Sequence, residues 1–510
     1  MAVVLFFVLF FIHLLASEGF KILGICPSTS YSHQQPFQAV MKALANKGHQ
    51  VTVISPITQK EPIKNYSHID VSFTYRTKDC TKLRHMNAFS ILQMNMAESN
   101  KLCEDQIKSV AVQNLINSNK TFDAIIIEQL WFQCYYALVK RYNFPLLIGF
   151  LSVGNLPYAM DSVGNPDNPL LNADMAFAFN DKMTLNERLW NVLYTTWTRI
   201  YFKFIHLPQA QIIANKYIPG TSVFEVENNF SLVILGNNHI FGYPKPLLPN
   251  VVEVHSLHIN DNPAHLPQDI QEFLDNAPDG VIYFSLGSNL QSDQLSNNSL
   301  TALYGAFRTL KQKILWKHTG IPTIEIKNIK FIKWAPQQTV LAHKNTKVFM
   351  MQGGLQSLQE AVYYGVPLIS IPFFGDQLFN TRKIIDSKIG LSLEVDGMTS
   401  KSIVEVVEKV LQNSQYVINI KEMSAMIKDE MTKPIDKVVW NIEHLLKFPK
   451  APYFSYRAKN ITWLEYYGTI IIIIFITLSL LTVTSFVSVK ICRHVFAKKL
   501  LKNMFKKKVL

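Results

Sequence analysis

Apolar residues in this chain gather into short dense runs, divided by longer stretches of mixed polarity. KILGICP (Lys21 to Pro27) has the unbroken apolar character of a strand covered on both faces of a sheet. A polar loop, STSYSHQQ, follows it. Pro36 then stands where a first helical turn tolerates proline, and FQAVMKALANKG reads as a helix stopping at Gly48. HQVTVISP supplies a second strand. Strand, loop, helix and strand in that order open a parallel α/β unit. Phe122 to Gln129 predicts another buried strand, followed by a helix through Arg141 and the strand LLIGF.

A second series begins at Val281–Ser288. The pattern predicts a helix over Leu300–Leu310, strands over Lys313–Lys317, Phe331–Trp334 and Val348–Met351, a helix over Leu355–Tyr364, a strand over Leu368–Ile371 and a helix near Asn380. Residues 246–278, rich in Pro, Asn, His and Asp, read as a linker. The chain thus divides into an N-terminal α/β domain over 20–245 and a C-terminal one over 279–450. Two doubly wound halves imply a cleft between them, with ligands beyond the carboxyl ends of the strands.

The two ends carry a different signal. Residues 2–16 are almost wholly apolar and lead into the small residues Ala16, Ser17 and Gly19, the first of them closing the run, so residues 1–19 read as a secretory signal peptide. Residues 466–489 contain no charge, and a helix of that length can cross a hydrocarbon core of roughly 30 Å. Trp463, Tyr466 and Tyr467 stand at its start, where aromatic rings favour the headgroup layer. Residues 490–510 form a basic tail, which places that end in the cytosol and the rest in the lumen. Lys507 and Lys508 match the di-lysine retrieval signal of endoplasmic-reticulum membrane proteins. Five N-x-S/T sequons, at Asn65, Asn119, Asn229, Asn297 and Asn460, fall on the lumenal side.

Charge changes the picture by exclusion. The net charge is +13, but the tail holds eight of those charges, so a nucleic-acid partner loses its support. None of the five cysteines forms a CxxC pair, which argues against a zinc framework. A disulfide such as Cys80–Cys103 and buried free thiols are both open readings.

The candidate chemistry lies between Phe331 and Asn380. A strand ending at Met351 runs through Gln352 into Gly353-Gly354 and a helix. Glycines there let backbone N–H groups approach an anion, and the helix start adds about half a positive charge. Ser357 can donate its hydroxyl to the same anion. Glu360 lies a turn further on, within reach of a ribose diol, and Trp334 offers a flat face for a base.

This array resembles the UDP-glycosyltransferase family, in its insect-type membrane-bound branch. The matching positions are Trp334, Pro336, Gln337, His343, Gly353, Gly354, Ser357, Glu360, Ala361, Gly365, Val366, Pro367, Pro372, Asp376, Gln377 and Asn380. The resemblance implies a GT-B fold, α/β with two Rossmann-like domains facing across a cleft, plus one C-terminal transmembrane helix. It implies that Trp334 stacks on uracil and Gln337 helps seat it. Ser288, Gly354 and Ser357 would line the diphosphate, Glu360 would bind the ribose, and Asp376 and Gln377 the sugar hydroxyls. The family's histidine before the glycine pair is Gln352 here, which cannot become cationic. Losing that charge costs roughly 1–2 kcal/mol of donor binding. An active transferase is the favoured reading, and an impaired UDP-sugar-binding homologue or regulatory subunit is the alternative.

An isolated histidine more often serves structure than catalysis, but the family places its general base in the loop after the first strand, where His33 stands. The family's orienting acid corresponds to Glu128, and Asp123 in the same strand reads as structural. The resemblance implies inverting transfer of glucose or glucuronate from a UDP-sugar to a hydroxyl of a small lipophilic acceptor. No permanently bound cofactor is expected, and no metal, since the chain has no D-x-D motif. Residues 151–225, rich in aromatic and aliphatic side chains, suit an apolar acceptor pocket or, equally, ordinary core or a membrane-facing surface. The lipid bilayer is an expected partner, and homo- or hetero-oligomers are left open.

Overall fold

The computed structural model describes residues 19–59, 61–75, 80–261, 263–320, 325–449, 456 and 463–506. The signal-peptide reading, the di-lysine pair and Asn460 lie outside them. The four remaining sequon asparagines are all exposed.

The N-terminal half is built on seven strands: β1 (Lys21–Ile25), β2 (Gln50–Ser55), β3 (Tyr66–Asp70), β4 (Ala124–Glu128), β5 (Leu146–Leu151), β6 (Leu232–Leu235) and β7 (Val251–Glu253). They form one sheet in the order β3-β2-β1-β4-β5-β6-β7. The C-terminal half has β8 (Val281–Ser285), β9 (Lys313–Lys317), β10 (Ile329–Ile332), β11 (Thr346–Met351), β12 (Leu368–Ser370) and β13 (Gly390–Ser392). Their order is β10-β9-β8-β11-β12-β13. Every pairing in both sheets is parallel. Strand order reverses between β1 and β4 in one sheet and between β8 and β11 in the other. Those two switch points are where doubly wound sheets open a crevice for ligands.

Side-chain alternation explains why the strands are apolar on both faces. Ile22, Ala124, Ile126, Ile148 and Phe150 belong to one core of the first sheet. Leu23, Ile25, Ile125, Ile127 and Leu147 belong to the other. The second sheet divides in the same way, with Ile282, Phe284, Val348 and Met350 on one face and Val281, Tyr283, Phe349 and Met351 on the other.

Several boundaries differ from the sequence reading. The 246–278 linker contains β7, which is the edge strand of the first sheet, and a helix over Gln268–Asp275. Helix α1 (Tyr31–Asn46) starts ahead of Pro36, which lies inside it. A proline this near the start removes only one intrahelical bond, so the helix continues through it. After helices α2 (Ala88–Ile107), α3 (Leu355–Tyr364) and α4 (Gln377–Asp386), helix α5 (Pro434–Lys447) returns to the N-terminal half. Its Val438, Val439, Ile442, Leu445 and Leu446 are buried in the same core as Ile22, Phe37 and Met41. At about 1.5–3 kcal/mol for each fully buried side chain, that packing decides where the helix belongs. In the opposite direction, Cys80 is buried in the core of the C-terminal half, and Arg84 pairs with Glu394 and Asp396.

The disulfide also differs from the expected one. Cys103 on α2 joins Cys134, just after β4, and not Cys80. The two sheets belong to one compact unit, and helix α6 (Trp463–Lys506) belongs to another. Its stretch Ile470–Lys499 is long and apolar enough to cross a membrane, which fits a membrane anchor. The helix runs on through the basic residues because lysine and arginine are good helix formers and no breaker intervenes.

Candidate active site

The first cluster forms at the switch point of the N-terminal sheet. The chain leaves β1, turns through Ser28 and enters α1, so His33 sits in the first turn of that helix and not in a loop. Gln34, fully buried, holds the turn by donating from Nε2 to the carbonyls of Cys26 and Ser28 (2.9 and 2.7 Å). Glu128, the last residue of β4, is 1% exposed. His33 Nδ1 lies 2.8 Å from Glu128 Oε1. The Ser28 N–H donates to the other oxygen at 3.2 Å. An ionised carboxylate only accepts, so it holds the imidazole proton on Nδ1 and leaves the Nε2 lone pair outward. Asp123 instead accepts the Lys21 N–H at 2.7 Å, a structural tie between the starts of the two neighbouring strands β1 and β4.

The second cluster forms at the switch point of the C-terminal sheet. β11 leads through Gln352 to Gly353, whose φ of +89° suits glycine alone. A Cβ there would meet Ser370 Oγ at 2.8 Å, Thr381 Oγ1 at 2.9 Å and the Gln377 carbonyl at 3.0 Å. Gly354 is the N-cap of α3 and has no side chain to cover the free N–H groups of the first turn. Ser357 Oγ accepts from Gln337 Nε2 at 3.0 Å. The same amide donates to Glu360 Oε2 at 2.6 Å, and Tyr283 OH donates to Gln337 Oε1 at 3.2 Å. Gln338 Nε2 reaches Glu360 Oε1 at 3.3 Å, and His258 Nε2 lies 3.3 Å from that oxygen. Glu360 is therefore a buried carboxylate whose oxygens are aimed by surrounding side chains.

Gln352 is 9% exposed, and its Oε1 has no hydrogen-bond partner. Its Nε2 faces Gly287, where a Cβ would come within 2.5 Å of it. Asn380 ties Asp376 to the glycine turn, donating from Nδ2 to Asp376 Oδ2 (2.8 Å) and to the Gly353 carbonyl (2.9 Å). Burial raises the Asp376 carboxyl above its ordinary pKa, and the Asn380 hydrogen bond partly offsets this. Gln377 is 3% exposed, with Oε1 accepting from the Phe373 and Phe374 N–H groups (2.8 and 3.1 Å). Its carbonyl is thus committed to its own loop, which the sequence reading did not foresee.

A cavity of about 810 Å³ joins the two halves. His33, Ser288 and Trp334 all line it, whereas the glycine turn, Ser357 and Glu360 lie beyond its lining. Trp334 is 54% exposed, with Tyr31 edge-on at 5.1 Å. Of the two readings of 151–225, the pocket one does not hold for this cavity: its apolar wall comes from Phe73, Tyr75, Met94, Leu102, Trp131 and Phe132, and no residue of 151–225 contributes. That region instead exposes Leu185, Leu189 and Trp190. Sequence reasoning also missed Lys317, which lines the cavity with its Nζ 4.5 Å from the Trp334 ring. A lone lysine at the end of a predicted strand gives no signal of its own.

The comparisons with known proteins point the same way. A family model described as UDP-glucoronosyl and UDP-glucosyl transferase matches residues 21–508. The protein named UDP-glycosyltransferase UGT5 of Dactylopius coccus is 30% identical over 481 residues, covering 91% of each chain. UDP-glucosyltransferase 2 of the same organism is 30% identical over 472 residues, covering 90% of each. UDP-glucuronosyltransferase 2B15 of Homo sapiens is 28% identical over 509 residues, covering 94% of each. Among solved structures, the calicheamicin glycosyltransferase CalG4 superposes with a TM-score of 0.56 at 17% identity, over 85% of this chain and 100% of that one. Os79 from O. sativa, in complex with UDP, gives 0.54 at 14% identity, over 83% and 100%.

Proposed function

This chain belongs to the UDP-glucoronosyl and UDP-glucosyl transferase family and is a glycosyltransferase acting from UDP-sugars, and from that premise we propose an inverting transfer of a hexose onto the hydroxyl of a small lipophilic acceptor. In this reading His33 Nε2 takes the acceptor proton, while Glu128 holds the ring and stabilises its cationic form. The freed oxygen attacks the anomeric carbon from the face opposite UDP. The bond from that carbon to the phosphate oxygen breaks, and its electron pair leaves with UDP. Configuration inverts. The glycine turn at the start of α3 and the hydroxyls of Ser288 and Ser357 receive the growing phosphate charge. Trp334 stacks on uracil, Gln337 and Glu360 take the base and ribose, and Asp376 with Gln377 meets the sugar. No metal is given a part.

UDP-glucose is the favoured donor in this reading. The sugar-facing pair Asp376 and Gln377 offers no cation to a glucuronate carboxylate, and one relative is named a UDP-glucosyltransferase. The aromatic and aliphatic wall of the cavity supports an apolar acceptor. The apolar stretch of α6 serves as a single-pass anchor in the endoplasmic-reticulum membrane, with both sheets on the lumenal side.

The observation that carries this reading is the His33–Glu128 pair facing a cavity it shares with Trp334 and Ser288. The test uses the full-length chain in detergent, UDP-glucose and a panel of phenolic and alcoholic acceptors. His33→Ala is expected to abolish transfer while leaving UDP affinity within about twofold. Transfer that survives the substitution would remove His33 as the base.

A further inference from the structure

Lys317 ends β9, the neighbour of β8 at the switch point of the second sheet. Its Nζ donates to the Gly287 carbonyl at 2.7 Å and lies 4.5 Å from the centre of the Trp334 ring. Among the described residues, no carboxylate lies within ion-pair distance of it. Gln352 approaches the same glycine, with Nε2 at 2.5 Å from the position of a Gly287 Cβ and its buried Oε1 unpartnered. A half-buried cation without a counter-ion is costly to keep, and a neutral amide beside a phosphate site is a loss of charge. One arriving anion supplies the missing counter-ion and can accept from Gln352 Nε2, the donor end of that amide.

We propose that Lys317 supplies the positive charge for the donor diphosphate that Gln352 cannot, the two side chains gripping the Gly287–Ser288 turn between them. This inference rests on UDP-sugar use as proposed above, and assigns Lys317 as a binding residue of that site. Burial alone lowers the ammonium to about 8. The titratable groups that share the cavity are Tyr31, His33, Tyr75, Cys80, Glu98, Lys101, Asp105 and Lys333, with His318 next in the chain. A diphosphate beside Nζ favours the protonated form, so binding near pH 8.5 must draw a proton from the buffer. The phosphates of UDP are ionised at that pH and stay so beside a cation, and any proton change at the uracil ring shows equally in the uridine titration.

Calorimetry on the full-length chain in detergent, with UDP and uridine as probes in two buffers of different ionisation enthalpy, tests this. Lys317→Met should weaken UDP binding about 10- to 100-fold and leave uridine binding unchanged. The natural chain should take up a fraction of a proton with UDP at about pH 8.5. Lys317→Arg should bind UDP near the natural affinity without that uptake, because a guanidinium never deprotonates. A mere structural tie to Gly287 would lower the melting temperature and move UDP and uridine together. Equal loss of both probes, or full UDP affinity in Lys317→Met, overturns the inference while the donor reading stands. Absence of UDP binding in the natural chain overturns the donor reading first, and this inference with it.

Discussion

Ninety-five residues separate His33 from Glu128, yet the two side chains meet at 2.8 Å across the switch point of the first sheet. The carboxylate arrives on a strand that is hydrogen-bonded to β1, from Ile22↔Ala124 to Ile25↔Ile127. The imidazole arrives on the first turn of the following helix. Rigid elements therefore set both ends of the contact, which is what a base and its orienting acid require.

Glu128→Gln tests that contact without changing its shape. A glutamine amide can donate to Nδ1 and so favours the wrong tautomer, with the Nε2 position protonated. kcat is expected to fall about 10²- to 10⁴-fold, with UDP affinity unchanged by calorimetry. A variant that keeps normal turnover would reduce Glu128 to a packing residue.

Gly353→Ala tests the anion-binding turn. The positive φ and the contacts at 2.8–3.0 Å leave no room for a methyl group. The substitution should cost about 1–3 kcal/mol of stability and weaken UDP binding as the turn shifts. Thermal melting read beside calorimetry separates the two effects. An unchanged variant would show that the turn accommodates a side chain.

A pH dependence of stability follows from Glu227, a buried carboxyl that receives the Tyr136 hydroxyl at 2.6 Å. Burial raises it to about 8 from an ordinary 4.5. The folded state therefore keeps a proton that the unfolded chain releases. The stability present below about pH 4.5 is lost progressively as pH rises to about 8, by an amount on the order of a few kcal/mol. Buried Asp174, raised to about 7 mainly by burial, adds a slope of the same sign over a narrower window. Glu227→Gln should flatten the fall in melting temperature between about pH 5 and 8.5. Parallel curves for the variant and the natural chain would exclude this carboxyl as the source.

Much of the C-terminal half was legible before any coordinates. Strand Lys313–Lys317 and helix Leu355–Tyr364 fall where their patterns place them, and Gly353 stands at the turn the spacing requires. Apolar periodicity, a glycine pair and a helix start are local signals, carried by residues a few positions apart. The partners of those residues were less legible. Nothing near Cys103 tells it to choose Cys134 over Cys80, and nothing near Pro434 sends its helix back to the first sheet.

The amino-acid order by itself determined the two parallel sheets, the glycine turn and the apolar C-terminal helix, because each depends on short-range patterning. Only the folded molecule decided which walls enclose the cavity, that Phe73 and Phe132 line it while residues 151–225 do not, and that Lys317 and Gln352 converge on Gly287. Those outcomes depend on how two finished sheets dock and which loops meet between them. Contacts across such separations are selected by burial and shape, which no local run of residues encodes.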